Sequence, residues 1–277
     1  MSSRDQILHQ MVRSNFVRRT YGAVLPIPGI GTAVRHLAHT FMPKGSRIWI
    51  RIPQGLGVGL WMFTDTRDEL GYVKGQHEPW MQDLLGSELR QGNCYYDLGA
   101  HTGFFSLIAA REVGSSGAVL AVEANPQNAR IVETNVARNK LAQITVLEAA
   151  IWSSSGRIVF EPNPDSTQGR ISVDNLPKPG SCCVSTVSID ELVYRDKRRV
   201  PDFIKMDVEG AEWDALQGAR RVFSEAKPKL LCEIHHPEQM DQICGFLEGQ
   251  DYRCEKWNPV DPHSPDYHQL YVWAVPR

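Results

Sequence analysis

Asp97-Leu98-Gly99-Ala100-His101-Thr102-Gly103-Phe104-Phe105 is the stretch that decides how this chain folds. A short apolar run, Cys94-Tyr95-Tyr96, leads into the Asp97 carboxylate, and Phe105-Ser106-Leu107-Ile108-Ala109-Ala110 reads as a helix. The order is strand, tight turn, helix start. In open α/β sheets nucleotide-like ligands bind there, because backbone N–H groups and the helix N-terminus face the ligand. Gly99 and Gly103 permit backbone conformations and close approaches that a Cβ blocks. The stretch therefore predicts a nucleoside-containing cofactor at the end of the first strand of the main sheet.

A dinucleotide fold carries G-x-G-x-x-G, whose middle glycine lets backbone approach a pyrophosphate. Here the spacing is G-x-x-x-G, and His101 stands at the middle position. That argues against NAD or FAD. Asp97 would repel a pyrophosphate and favours a cation, such as the amino group and sulfonium of S-adenosylmethionine. A second acid, Glu123, ends the next apolar run, Val119-Leu120-Ala121-Val122. Being acceptor-only, a carboxylate there suits two ribose hydroxyls.

Around this turn the chain alternates strand and helix. Strands are predicted near 94–98, 119–123, 144–148, 202–207, 229–234, 252–257 and 269–274, and helices near 104–112, 126–138, 210–222 and 238–248. The alternation predicts a Rossmann-like α/β fold with a mostly parallel sheet of seven strands. Residues 258–265 read as a turn rather than a helix, so the last strand is expected to run antiparallel. Residues 153–183 interrupt the pattern. They are rich in Ser, Pro, Gly and Asn, hold one strand-like piece at 157–160, and are expected to form a binding loop or lid.

Upstream, residues 4–20 place Ile7, Leu8, Met11, Val12 and Phe16 at helical spacing beside Arg13, Arg18 and Arg19. A second short helix is predicted over 32–41, then a hairpin of strands 47–52 and 59–63 around Gln54-Gly55-Leu56-Gly57. The expected division is an arm and hairpin over 1–70 and a main domain over 71–277. Net charge is −2, but residues 1–51 hold eight Arg and Lys against Asp5, leaving −9 for the rest. The basic arm packs on the sheet, helps form an acceptor pocket, or makes weak peripheral contact with an anionic membrane. The acidic remainder opposes nucleic-acid binding. No apolar run suits a membrane span or a secretory signal. The six cysteines lack zinc spacing, so a cytoplasmic protein with reduced thiols is expected.

Tyr95 to Gly103 resembles the cofactor motif of class I S-adenosylmethionine-dependent methyltransferases. Phe203-Ile204-Lys205-Met206-Asp207-Val208-Glu209-Gly210-Ala211-Glu212 is similar to the K-x-D-x-E-G-x-E signature of the FkbM family. Tyr72…Gly75…Glu78, Val122-Glu123-Ala124-Asn125-Pro126…Asn135…Asn139, Val187-Ser188-Ile189-Asp190 and Pro228…Leu231-Cys232-Glu233 add to the likeness. It runs over about residues 70–235, and Ala124-Asn125-Pro126 replaces the family's frequent Glu-Pro. The resemblance implies methyl transfer to oxygen, commonly a hydroxyl of a sugar, glycolipid or natural product. Acceptors such as a polyketide hydroxyl or a carboxylate, and a cofactor-binding module without catalysis, stay open. It also implies cofactor contacts from Glu78, Asp97, Gly99, Ala100, His101, Thr102, Gly103, Glu123, Ala124, Asn125, Ala150 and Asp207. Thr102 is expected to cap the helix.

A sugar hydroxyl is a poor acid, so a base or a metal is expected beside the acceptor. Asp207 ends an apolar strand at the same sheet edge as Asp97. Alternation sets Glu233 and His235 on one face of the next strand. Three chemistries stay open: Asp207 or His235 as base with Glu209 nearby, a magnesium ion on Asp207 and Glu233, or positioning alone. Glu212 is expected to be a solvated acid at a helix start.

Overall fold

The computed structural model describes residues 47–65, 69–162, 169–172, 176–258 and 269–277. The helices expected over 4–20 and 32–41, and with them the membrane contact, lie outside the described residues. The chain divides into two compact units, Met1–Ser87 with Thr134–Lys140, and Glu88–Glu133 with Leu141–Arg277.

In the first unit, β1 (Arg47–Arg51) and β2 (Trp61–Asp65) form an antiparallel hairpin in register Arg47↔Asp65 to Arg51↔Trp61. Alternation buries Ile48, Ile50, Met62 and Thr64. The other face carries Trp49 and Phe63, with ring centroids 5.3 Å apart. The Arg138 guanidinium lies over Trp61 at 4.7 Å. Asn135 and Asn139 accept the Phe63 and Trp61 N–H groups at 2.7 and 2.8 Å, so the free edge of β2 does not leave these donors unmet. The short helices α1 (Leu70–Lys74) and α2 (Pro79–Glu88) follow.

The second unit begins with β3 (Cys94–Leu98), α3 (Phe104–Val113), β4 (Ala118–Glu123), α4 (Pro126–Asn139) and β5 (Ile144–Glu148). After an insertion come β10 (Phe203–Met206), α5 (Glu212–Gln217), β11 (Lys229–Ile234), α6 (Met240–Gly249), β12 (Tyr252–Trp257) and β13 (Leu270–Pro276). The sheet has seven strands in the order β12-β13-β11-β10-β3-β4-β5. β13 runs antiparallel to both neighbours, and the β11/β10/β3/β4/β5 pairs are parallel. The expected sheet and its antiparallel last strand are both present. Tyr96, Leu98, Ile204, Met206, Leu230 and Cys232 feed the main core on one face. On the other, Tyr95 meets Phe203 edge-on at 5.6 Å, and Phe203 meets Trp273 at 5.5 Å. Among the described residues no helix is long and apolar enough to cross a membrane.

The segment 153–183 departs from its expected loop character. β6 (Ala150–Ile151), β7 (Gly156–Pro162), β8 (Gly169–Ile171) and β9 (Cys182–Val187) make a second sheet in the order β6-β9-β7-β8. Ala150, Ile158, Phe160 and Val184 give it a small core of its own. The helix expected over 210–222 is also shorter. α5 ends at Gly218, and the Asp190 carboxylate accepts the Arg221 and Val222 N–H groups at 3.0 and 2.8 Å as a new helical turn begins.

Gly99 is where the topology tolerates no side chain. Its φ is +79°, and an added Cβ would sit 1.7 Å from the Asp207 carbonyl oxygen. Asp207 N–H donates to Leu98 O at 3.0 Å, so the two strand ends are tied together there. Gly99→Ala combines a left-handed φ with a backbone clash and is expected to cost about 3 kcal/mol or more. Urea unfolding checks this, and an unchanged midpoint would remove the packing explanation for the glycine.

Candidate active site at the carboxyl edge of the sheet

The turn after β3 uses three left-handed residues, Gly99, His101 and Gly103, with φ of 79°, 52° and 88°. His101 accepts this conformation where a glycine would hold it without strain, at roughly 1–2 kcal/mol. The N–H groups of Gly99 and Ala100 donate to Val122 O at 2.9 and 3.0 Å. The His101 and Asn125 N–H groups donate to opposite oxygens of Glu123, at 2.7 and 2.8 Å. Burial pushes the Glu123 carboxyl up to about 7, against the pull of those two donors. A carboxylate has about four lone-pair sites, so two remain for a ligand's hydroxyls. Ala124 follows directly, and the Ala149 N–H donates to Glu123 O at 3.1 Å, which sets Ala150 one residue beyond this strand end.

Asp97 is 1% exposed. Ser106 Oγ, from the first turn of α3, donates to its Oδ2 at 2.5 Å. Among the described residues Oδ1 accepts no hydrogen bond, and Lys205 Nζ stands 3.6 Å from it. Burial raises the Asp97 pKa, while Lys205 and Ser106 work against that. Asp97 therefore organises the turn from beneath. Thr102 was expected to cap α3 through its hydroxyl and does not. Gly103 takes the cap position with no side-chain bond, and Thr102 is buried with Oγ1 3.5 Å from His101 Nδ1. Glu78 belongs to the first unit, where it has φ +38° just ahead of α2 and lies 3.6 Å from His77.

The ends of β10 and β11 gather the acids. Asp207 Oδ2 accepts from Lys205 Nζ at 3.2 Å, and Oδ1 lies 3.7 Å from His235 Nε2. Glu209 has φ +53° and sets Oε2 3.5 Å from the same nitrogen. Glu212 is not a solvated acid. It is 1% exposed, accepts the Gly210 N–H at 3.0 Å, and sits 2.8 Å from His235 Nδ1. Asp207, Glu233 and His235 each bring a ligand atom within 4.8 Å of the others. The sequence suggested the two acids as a cation site, and the structure adds His235.

Charge explains the protonation states. Burial would raise the Asp207 carboxyl, but the Lys205 ammonium and His235 outweigh it and hold it below the usual range. Burial and then the Asp207 charge raise Glu209. Burial opposes a charged His235, yet the Glu212 bond and the Asp207, Glu212 and Glu233 carboxylates push it up to about 9. At neutral pH the site holds an imidazolium among carboxylates, with Nδ1 bonded to Glu212 and Nε2 facing Asp207 and Glu209 at 3.7 and 3.5 Å. Glu212→Gln should move His235 from about 9 toward its ordinary 6.5, read from the imidazole NMR titration. A raised folded pKa stabilises fully below about pH 6.5 and loses that gain as pH rises toward about 9, so wild-type stability should decline over this window relative to Glu212→Gln. An unmoved titration would show that Glu212 does not hold the proton.

The chain is similar in sequence to known methyltransferases. The methyltransferase FkbM domain model matches residues 97–254. The hexuronic acid methyltransferase AglP of Haloferax volcanii is 28% identical over 176 residues, 64% of this chain and 66% of that protein. Protein-L-isoaspartate O-methyltransferase 1 of Archaeoglobus fulgidus is 24% identical over 180 residues, 63% of this chain and 71% of its own length. Among solved structures, methyltransferase FkbM from Methylobacillus flagellatus matches with a TM-score of 0.49 and 24% identity, covering 68% of this chain and 44% of that one. The chain thus spans just under two thirds of the Haloferax protein's length and under half of the Methylobacillus protein's. With the signature lying on β10 and the turn that follows it, and the model matching from Asp97 onward, the chain belongs to the FkbM methyltransferase family.

Proposed function

We propose that this chain transfers a methyl group from S-adenosylmethionine to a hydroxyl of a sugar, glycolipid or glycosylated natural product. The observation that carries the reading is the pairing of a left-handed cofactor turn with an ionised Asp207, both anchored on Lys205 at one sheet edge. The AglP likeness supports a saccharide acceptor. The bound cofactor would supply an activated methyl on a cationic sulfur. Glu123 would hold the ribose hydroxyls with its spare lone pairs, beside Asn125, and Ala150 would border the base. Asp97, Gly99, Ala100, His101, Thr102 and Gly103 would shape the turn.

The leaving thioether is neutral, so that side needs no acid. Holding donor and acceptor in line can contribute roughly 7–11 kcal/mol. The acceptor must also lose a proton. Asp207 is the group available as base at neutral pH, because it is ionised there while His235 is already protonated. His235, held by Glu212, would then steer Asp207 and Glu209. A second reading rests on the cluster itself: Asp207, Glu233 and His235 would hold a divalent cation that grips the acceptor oxygen, once Nε2 has lost its proton.

Calorimetric titration with S-adenosylmethionine and S-adenosylhomocysteine, with and without magnesium, tests the core of the proposal. Micromolar binding is expected, and folded protein that binds neither compound would sink it. Asp207→Ala should spare that binding and slow turnover by roughly 10²–10⁴. With Asp207 as base the rate stays level through neutral pH. A rate that climbs toward about pH 9 would transfer the role to His235.

A further inference from the structure

Lys205 carries charge into the centre of this site, and beyond holding Asp207 ionised it reaches the cofactor turn as well. Its side chain is 7% exposed. In the parallel register it stands directly opposite Asp97. Its Nζ donates to the Gly99 carbonyl and to Asp207 Oδ2, both at 3.2 Å, and lies 3.6 Å from Asp97 Oδ1. The Phe105 ring, at 5.9 Å, closes the remaining side. A buried ammonium is costly unless several oxygens surround it, and here three do.

We propose that Lys205 is a positioning residue: one buried ammonium, shared by Asp97, the Gly99 carbonyl and Asp207, that locks the cofactor turn to the carboxylate on the acceptor side. The clause about the acceptor rests on the function proposed above, while the lock itself does not.

The charges around Lys205 make it the natural hinge of the cluster. Asp97 faces it from β3, Glu123 from the end of β4, and Asp207 and Glu209 from the segment after β10. His235 from β11 and His101 from the turn act on Asp207, and Glu212 from α5 reaches it through His235. Ser106 gives Asp97 a neutral donor, so Lys205 is the cation shared by both aspartates. Without it, two carboxylates at adjacent strand ends face each other across the turn, and the Gly99 carbonyl loses this donor. The cofactor turn would then feel the charge at residue 207, which in the intact protein is neutralised locally.

A double-mutant cycle on S-adenosylhomocysteine affinity isolates this lock from simple packing. Lys205→Met keeps the side-chain volume and removes the charge. It should weaken binding roughly tenfold or more, and by a larger factor than Asp207→Asn alone. In the double variant Asp207→Asn should recover most of the loss, a non-additivity expected only of groups in contact. Lys205→Arg should recover part of it, since its planar fork cannot reproduce one compact ammonium on three oxygens. Additive effects, or Met behaving as wild type, overturn the proposal. If Lys205→Met does not fold, the wild-type ammonium decides. Its ¹⁵Nζ signal should exchange slowly and shift in Asp207→Asn, and a signal indifferent to that change overturns the proposal. If the wild type binds no S-adenosylhomocysteine, the proposed function fails, and the ¹⁵Nζ measurement still judges the lock.

Discussion

A lysine set opposite an aspartate across two parallel strands is the constraint on which the rest of this sheet edge depends. One register step earlier on the same face, the pair is apolar, Tyr95 against Phe203. The face therefore changes from aromatic contact to ion pair within two residues, just where β3 and β10 end. Burial makes the pair demanding, because an uncompensated carboxylate inside a protein is strongly unfavourable. The consequences spread outward. Ser106 must face inward from α3 to serve Asp97, and Lys205 must reach the Gly99 carbonyl. The two strand ends then close together until only a glycine fits between them.

The acids beyond β10 show how magnitudes separate two readings of one motif. Carboxylates in a first helical turn stabilise the helix dipole by about 0.3–1 kcal/mol while remaining in water. Glu212 lies at such a place, yet it is buried against His235 and the Gly210 N–H. Hydrogen bonds to charged groups contribute about 1.5–3 kcal/mol, so the buried geometry outweighs a solvated cap. The imidazolium is in turn the local answer to crowded carboxylates. A proton on His235 supplies the positive charge that Asp207, Glu212 and Glu233 together demand. A divalent cation, were one held there, would take the place of that proton, which links the base and metal readings through a single charge balance.

The sheet was legible because its inner strands are apolar runs ending in turns, and because 258–265 offers no helix to carry a parallel crossover. The hairpin of β1 and β2 was legible from its period of two. The second sheet was not. β7 has alternation visible at Ile158 and Phe160, but its partner β9 reads Cys182-Cys183-Val184-Ser185-Thr186-Val187, whose two valines stand three apart and break the period of two. Pairing across a long polar span has no local signal. The gathering of Asp207, Glu233 and His235 followed from adjacent strand ends. Lys205 stood in the signature without a role, and Ser106 did not stand out, since a lysine within a strand and a serine within a helix look ordinary until register and burial set them on one carboxylate. Glu212 was misplaced for the same reason, because only the fold reveals which side of the first turn is covered.

Backbone strain points at the same residues as charge. Gly99, Gly103 and Gly210 take positive φ, which is what a chain uses when shape alone is required. His101 and Glu209 sit beside those glycines at φ of 52° and 53° and keep their side chains. Each carries a cost of order 1–3 kcal/mol that a glycine would avoid. His101 acts electrostatically on Asp207 from the turn, and Glu209 reaches His235 from the strand end. A fold that needed only the bends would place glycine at both positions. Left-handed side chains occur elsewhere too, at Lys140, Lys197, Lys227 and Asp251, and at this edge two of them meet the Asp207–His235 pair and add charge that a glycine could not supply.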